Sequence, residues 1–228
     1  GKRSFAAVNL IMPVLQILGA LGFMLGSGGS ALVAKTLGEN KREKAKEIFS
    51  MLVYIGIIVG ALLAVIGIVF IKPIAVLLGA EGEMVNLCAI YARIILISLP
   101  AFMLQNMFQS FLITAEKPKI GLWVTIGAGV TNMVLDALFM AIFDWGIVGA
   151  AVATTISQIV GGIVPLIYFA RENKSILRLV KAKFDGRALL HTTTNGSSEF
   201  VTNISMSIVM ALYNWQLLKY AGENGVAA

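Results

Sequence analysis

Cysteine and histidine are almost missing from this sequence: Cys88 and His191 are the single examples of each in 228 residues. A lone cysteine excludes an internal disulfide, and a lone histidine with no cysteine beside it supplies no metal-ligand set. The same scarcity leaves no serine, histidine and acid constellation in the apolar segments, so enzymatic chemistry is not expected. Charge is scarce as well, carried by 13% of residues where a soluble domain uses about 25%. Period-two alternation is missing from the apolar stretches, which argues against a membrane β-barrel. No short apolar region followed by a small-residue cleavage site opens the chain, so no cleavable leader is expected.

What is abundant is long apolar sequence. Hydrophobic residues make up 58% of the chain, against about 45–50% in soluble domains. They come in blocks with the charges pushed between them, rather than as the amphipathic stripes of a soluble bundle. A bilayer core about 30 Å thick needs roughly 20 apolar residues per helix. Six stretches qualify: 6–34, 48–71, 94–113, 120–143, 147–170 and 200–220. The expected fold is all-α, a polytopic transmembrane bundle of about six spans.

The placement of lysine and arginine orients the spans. Lys35, Lys41, Arg42, Lys44 and Lys46 follow the first span, Lys117 and Lys119 the third, and Arg171, Lys174, Arg178, Lys181, Lys183 and Arg187 the fifth. The opposite side holds Lys2, Arg3, Lys72 and Lys219, with Glu81, Glu83 and Asp144 beside them, while Arg93 falls inside or at the edge of the third span. By the positive-inside rule the richer side is cytoplasmic, which suits a multi-pass protein of the cell inner membrane. The net charge of +6 is therefore topological. Without interleaved aromatics it does not indicate nucleic-acid binding.

The polar residues inside the spans are the functional candidates, because a charge at bilayer depth costs a few kcal/mol or more. Asp136 is the strongest, with Asn132, Gly129 and Thr125 preceding it on one helical face. A carboxylate and an amide at this spacing offer oxygens to a desolvated Na+, or a site for one proton. Burial favours the protonated acid and a bound cation the carboxylate, so the two compete. The alternative is an aspartate that caps a kink or lies near the outer interface. Glu199 stands at the cytoplasmic start of the last span, with Asn203 and Ser207 one and two turns on; a favourable helix-dipole interaction is its ordinary alternative. Gln105, Asn106 and Gln109 are too polar to face lipid, and either line a cavity or bond across helices. Met103, Met107, Met206 and Met210 lie near these faces and suit varied organic substrates, or simply pack. Pro13, Pro100 and Pro165 each invite a kink. The run 26–36 has alanine at position 34, where a phosphate loop needs glycine before its Lys-Thr pair, and is better explained as small residues for close helix packing.

The chain ends on Gly222-Glu-Asn-Gly-Val-Ala-Ala228, an echo of Gly1-Lys-Arg-Ser-Phe-Ala-Ala7, with six spans between. Such an echo is expected where a six-helix unit begins again, as in transporters built from parallel repeats. Three runs carry a family resemblance: Ala6-Ala-Val-Asn-Leu-Ile-Met-Pro13, Gly28-Gly-Ser-Ala-Leu-Val-Ala-Lys-Thr-Leu-Gly-Glu39 and Asn195-Gly-Ser-Ser-Glu-Phe-Val-Thr-Asn-Ile-Ser-Met-Ser207. With them the chain resembles the multidrug and toxic compound extrusion (MATE) family over essentially its whole length.

The resemblance places these spans at the second through seventh of twelve helices, so that a fragment or truncated product is expected. It divides the chain into most of the N-terminal lobe at 1–171, a cytoplasmic amphipathic lobe linker at 172–198, with basic residues towards lipid headgroups, and the first helix of the second lobe at 199–228. It implies a secondary antiporter, monomeric at full length, that exports cationic or amphipathic drugs and toxic compounds. H+ or Na+ enters in exchange, no cofactor is needed, and two lobes alternate their access. It further implies a cation-linked site of Asn132, Asp136 and Thr154 and a glutamate at Glu199 that handles cation or substrate; the substrate cavity expected from the polar and methionine faces themselves includes Gln105, Asn106, Gln109, Asn203 and Met206. Two other readings stay open: a lipid-linked oligosaccharide flippase of similar fold, against which the single intramembrane Arg93 argues, and a truncated, non-transporting membrane protein.

Overall fold

The computed structural model describes residues 2–227, so Gly1 and Ala228, the outermost residues of the terminal echo, lie outside the described residues. Among the described residues seven α-helices follow one another: α1 (Lys2–Gly38), α2 (Arg42–Leu77), α3 (Glu83–Ile97), α4 (Leu99–Thr114), α5 (Pro118–Asp136), α6 (Gly146–Ala170) and α7 (Gly186–Ala227). A π-helical turn, Ala137–Ile142, extends α5. No strand occurs among the described residues.

Among the described residues four helices, counting α5 with its π turn, are long and apolar enough to cross a membrane, and α3 with α4 makes a fifth span bent by 57°. The sixth apolar segment, 200–220, lies in the part of α7 before Gly222, where the backbone turns non-helical (φ 62°, ψ −161°) and interrupts the helix. Thr202, Asn203, Ser205, Asn214 and Gln216 dilute its apolar character, and it is not among the helices that pass both tests. The helices also outrun their apolar cores. At about 1.5 Å per residue, the 36 residues of α2 exceed a core of about 30 Å, and its basic first turns stand clear of the membrane.

The third span differs most from the pattern. Its apolar core predicts a start at Ile94, whereas helix begins at Glu83 and breaks at Ser98, with Pro100 in the first turn of α4. Proline has no N–H to carry the ladder across that point. The Ser98 N–H turns back to Ile95 O at 2.9 Å, and the carbonyl it leaves, Ile94 O, accepts from Thr155 Oγ1 of α6 at 3.1 Å. Pro13 and Pro165 lie inside helices that run on unbroken, so of the three prolines only Pro100 marks a break.

Glycine lets the backbones around α4 approach closely, the usual device where lipid supplies no hydrophobic drive between helices. A Cβ on Gly22 of α1 would stand 2.7 Å from Met103 O, and one on Gly60 of α2 2.7 Å from Pro100 Cα. Gly162 of α6 faces Ala101 O in the same manner. Towards the basic end, Phe49, Phe108, Phe111 and Phe169 close the bundle, with the Phe49 ring 4.9 Å from both Phe111 and Phe169. Met103 and Met107 are fully buried here as packing. The largest interface joins α1 to α7, where Gly28 meets Thr192 O and Gly196 meets Met24 O.

The three basic connections lie at one end, as the positive-inside argument requires: Ala34, Leu37 and Arg42 share a surface hollow with Thr114, Glu116 and Ile176. At the other end Arg3 pairs with Glu83 at 3.5 Å. The stretch 171–185 is non-helical. Leu177 is fully buried, the Val180 N–H donates to Ser50 Oγ at 2.9 Å, and Tyr54 donates to Val180 O at 3.3 Å. Helix resumes at Gly186 because Asp185 Oδ1 accepts from the N–H groups of Arg187 (3.0 Å) and Ala188 (3.1 Å), a side-chain N-cap. The helix containing Glu199 thus starts well before position 199.

Candidate functional site

Asp136 is the last residue of α5, at the point where the helix widens into the π turn. Widened turns of this type often mark functional positions. Its Oδ1 is buried and has no hydrogen-bond partner, the kind of orphan that calls for an explanation. Asn132, one turn earlier, brings its Nδ2 to 3.5 Å from Thr154 Oγ1 of α6, a long contact that leaves both groups capacity for a further partner. Asn132, Asp136 and Thr154 therefore come together across α5 and α6, while Thr125 and Gly129 on the same face of α5 are exposed.

A fourth oxygen belongs to this group and escapes the sequence reading. Tyr91 of α3 is buried, interacts through its hydroxyl with Thr154, and lies within electrostatic reach of Asp136. A third span starting at Ile94 leaves Tyr91 outside the membrane, so it does not register as an intramembrane polar group. Three oxygen-bearing side chains, Tyr91 of α3, Asn132 of α5 and Thr154 of α6, thus gather near a carboxylate with unspent acceptor capacity. The set suits a proton or a small hard cation, which takes oxygen ligands.

The face of α6 that carries Thr154 continues through a row of polar residues. Thr155 holds Ile94 O, Ser157 donates to Ala128 O at 2.7 Å, and Gln158 hydrogen-bonds with Ser98 at 2.6 Å. Beside this row is a cavity of about 150 Å³ lined by Gln16, Phe102, Thr154 and Gln158 among others. Ser98, Thr155, Ser157 and Gln158 are also missed by the sequence reading. Their signal is present as four intramembrane polar residues, three of them within four positions of one another.

The remaining predicted residues divide. Gln105 and Asn106 sit inside the bundle, each with an unpartnered buried atom, Oε1 and Nδ2 respectively, and Gln105 packs on Gly161. Gln109 is exposed. On α7, Glu199 is exposed, Asn203 is half-buried with its Nδ2 donating to Glu199 O at 2.8 Å, and Met206 is 70% exposed. No hydrogen bond or ion pair joins Glu199 to Asp136 among the described residues. Nor do three or more His, Cys, Asp or Glu side chains cluster anywhere among them as a metal-binding group.

Comparison with known proteins places the chain. It is 29% identical over 220 residues to the multidrug export protein MepA of Staphylococcus saprophyticus, covering 96% of this chain and 49% of that protein. It is 28% identical to MepA of Staphylococcus aureus with the same coverage. Among solved structures, an inward-facing multidrug resistance MATE family transporter of the MOP superfamily superposes with a TM-score of 0.94 at 27% identity, covering 100% of this chain and 52% of that one. An outward-facing structure of a transporter of the same description gives 0.85 at 26% identity, covering 97% of this chain and 50% of that one. The chain spans about half the length of the curated relatives it matches. These relatives are transporters, not enzymes, and the chain is a multi-pass membrane protein. A family model described as MatE matches residues 1–138, more than half of the sequence, and the chain belongs to that family.

Proposed function

We propose that this chain forms the cation-linked part of a secondary antiporter, one that exports cationic or amphipathic organic compounds while H+ or Na+ enters. The observation that carries this reading is the buried, unpartnered Asp136 oxygen beside Asn132, Thr154 and Tyr91. Each cation moving inward down the membrane potential supplies about 2.3 kcal/mol per 100 mV. That energy biases the transporter only if its two states differ in cation affinity. A carboxylate at the α-to-π junction meets that condition when the turn changes geometry between states. The closer match to the inward-facing than to the outward-facing structure supports an inward-facing arrangement for the described state.

In this reading α1 through α6 belong to one lobe, 171–185 links it to the next, and α7 begins the second. Glu199, Asn203 and Met206, on one face of α7, and Gln105, Asn106 and Gln109 of α4 are assigned in this reading to a central cavity between the lobes. The organic substrate occupies that cavity, and multidrug export by the MepA relatives supports small organic compounds as its contents. The test is Asp136→Asn in an efflux-competent transporter carrying this chain. Cation-dependent efflux is abolished while membrane insertion is retained; unchanged efflux overturns the assignment. Tyr91→Phe keeps the ring and lowers the apparent cation affinity, read as a rightward shift of the Na+ or H+ dependence.

A further inference from the structure

At the cytoplasmic end, the last turn of α1, the first turns of α2 and the start of α7 enclose a surface pocket of about 270 Å³. Lys35, Lys41, Lys44 and Arg187 line it, with Glu39 and Asp185 between them and Leu32, Ile48 and Ala188 as an apolar wall. Both carboxylates are already committed. Glu39 accepts from Lys41 Nζ at 2.7 Å, and that bond, with the nearby Lys35 and Lys44 charges, holds its carboxyl below the usual carboxylate range. Asp185 is occupied in capping α7 through the N–H groups of Arg187 and Ala188. Lys35, Lys44 and Arg187 make no ion pair among the described residues. Three unpaired cations thus surround a concave space, on the side of the membrane where anionic lipid headgroups gather.

Elsewhere on this surface Lys46 pairs with Glu43 at 2.8 Å and Arg178 with Glu172 at 3.6 Å, while Lys117, Arg171 and Lys174 line a more open hollow that also holds Glu172. The pocket differs because its cations come from three helices and converge above buried apolar side chains, Ile48 and Ala188. That combination matches a group with a phosphate at one end and hydrocarbon at the other. We propose that this pocket binds a phosphate ester, in the membrane the headgroup of an anionic phospholipid, and thereby ties the start of α7 to the turn between α1 and α2. The shared chemistry is a phosphate oxyanion held by Lys35, Lys44 and Arg187; lipid and soluble phosphate are its two possible sources.

The test compares the full chain in nanodiscs of phosphatidylcholine alone with nanodiscs that also contain phosphatidylglycerol, reading lipid retention by native mass spectrometry and unfolding temperature alongside. A Lys35→Gln/Lys44→Gln/Arg187→Gln variant is set against Lys119→Gln/Lys181→Gln/Lys183→Gln, which removes equal charge from the same side outside the pocket. Phosphatidylglycerol is retained by the parent chain and the control, and its affinity falls about a hundredfold in the pocket variant. Restoration by Lys35→Arg/Lys44→Arg excludes a folding defect as the cause. In a parallel arm, inorganic phosphate is added to detergent-solubilised chain. Stabilisation there at millimolar concentration, lost only in the pocket variant, supports the site with a soluble ligand as its source. Equal loss in the pocket variant and the control, or no response to either lipid or phosphate, overturns the proposal. Asp136→Asn leaves lipid retention unchanged, so failure here is distinguishable from failure of the transport reading.

Discussion

The surroundings of α4 and the α5 arm are built on opposite terms. Around α4, glycines from α1, α2 and α6 let backbones touch, and nine of its sixteen residues are buried. Along α5 only Ala128 is buried, and in the π turn none is. What holds the arm to the bundle is polar and aromatic: Ser157 on Ala128 O, Asn132 towards Thr154, and Phe139 stacked on Trp145 at 5.0 Å. A close-packed interior transmits strain and resists change, whereas an element with few buried contacts opens at low cost. Asp136 lies in the compliant region, and α6 spans both, with Gly161 and Gly162 facing α4 while Thr154 and Ser157 face α5. Asp136 therefore sits on the more sparsely packed element, beside a closely packed one.

The largest expected effect on stability is in the frame. Phe49→Ala empties the centre of the aromatic cluster and costs about 3–5 kcal/mol, read by unfolding titration in micelles. A loss below about 1 kcal/mol shows that the cluster is not close-packed. Next comes a paired test of the two regions. Gly22→Ala puts a methyl 2.7 Å from Met103 O and costs about 1–3 kcal/mol. Gly127→Ala on α5 has nothing within 4 Å and is neutral or stabilising by up to about 1 kcal/mol. Equal effects at the two positions erase the distinction between frame and arm. Within the arm, Trp145→Ala removes the stacking on Phe139 and a tilted contact with Phe143 and costs about 0.5–1.5 kcal/mol, with the larger consequence being a shift in cation dependence, because the π turn adjoins Asp136.

The frame is largely legible in the sequence, and the arm's site partly so. Apolar runs locate the helices because lipid demands them, and the lysine and arginine count orients them. Those runs report the membrane core, not the helix. They give Ile94 as the start of a span that begins at Glu83, and Tyr91 is lost from view with that turn. The break at Ser98 is announced by Pro100, but Pro13 and Pro165 make the same announcement without a break. What distinguishes Pro100 is Thr155 and Gln158 on another helix, waiting for the freed backbone and the Ser98 side chain. Asp136, Asn132 and Thr154 were accessible through helical spacing and resemblance. The exposed faces of Glu199 and Met206 on α7, and the unpartnered atoms of Gln105 and Asn106, depend on packing that no single stretch encodes.

The smallest effect is expected at the surface beside the frame. Glu39 is exposed at the surface and bonded to Lys41, so solvent screening leaves this pair little influence on folding. Its carboxyl ionises more readily in the folded chain than in the unfolded one. Whatever stability the pair contributes is present above the ordinary carboxylate value and is lost as pH falls through the lowered folded value. From about pH 8 to about pH 5 nothing changes at this group. Glu39→Gln therefore shifts the unfolding midpoint little and by the same amount across that window, while releasing Lys41 to join Lys35, Lys44 and Arg187. Phosphatidylglycerol retention rises in the variant. A lowered midpoint at neutral pH instead means that the frame depends on the ion pair at its rim, and the boundary between packed interior and screened surface then has to be drawn further out, beyond the last turn of α1.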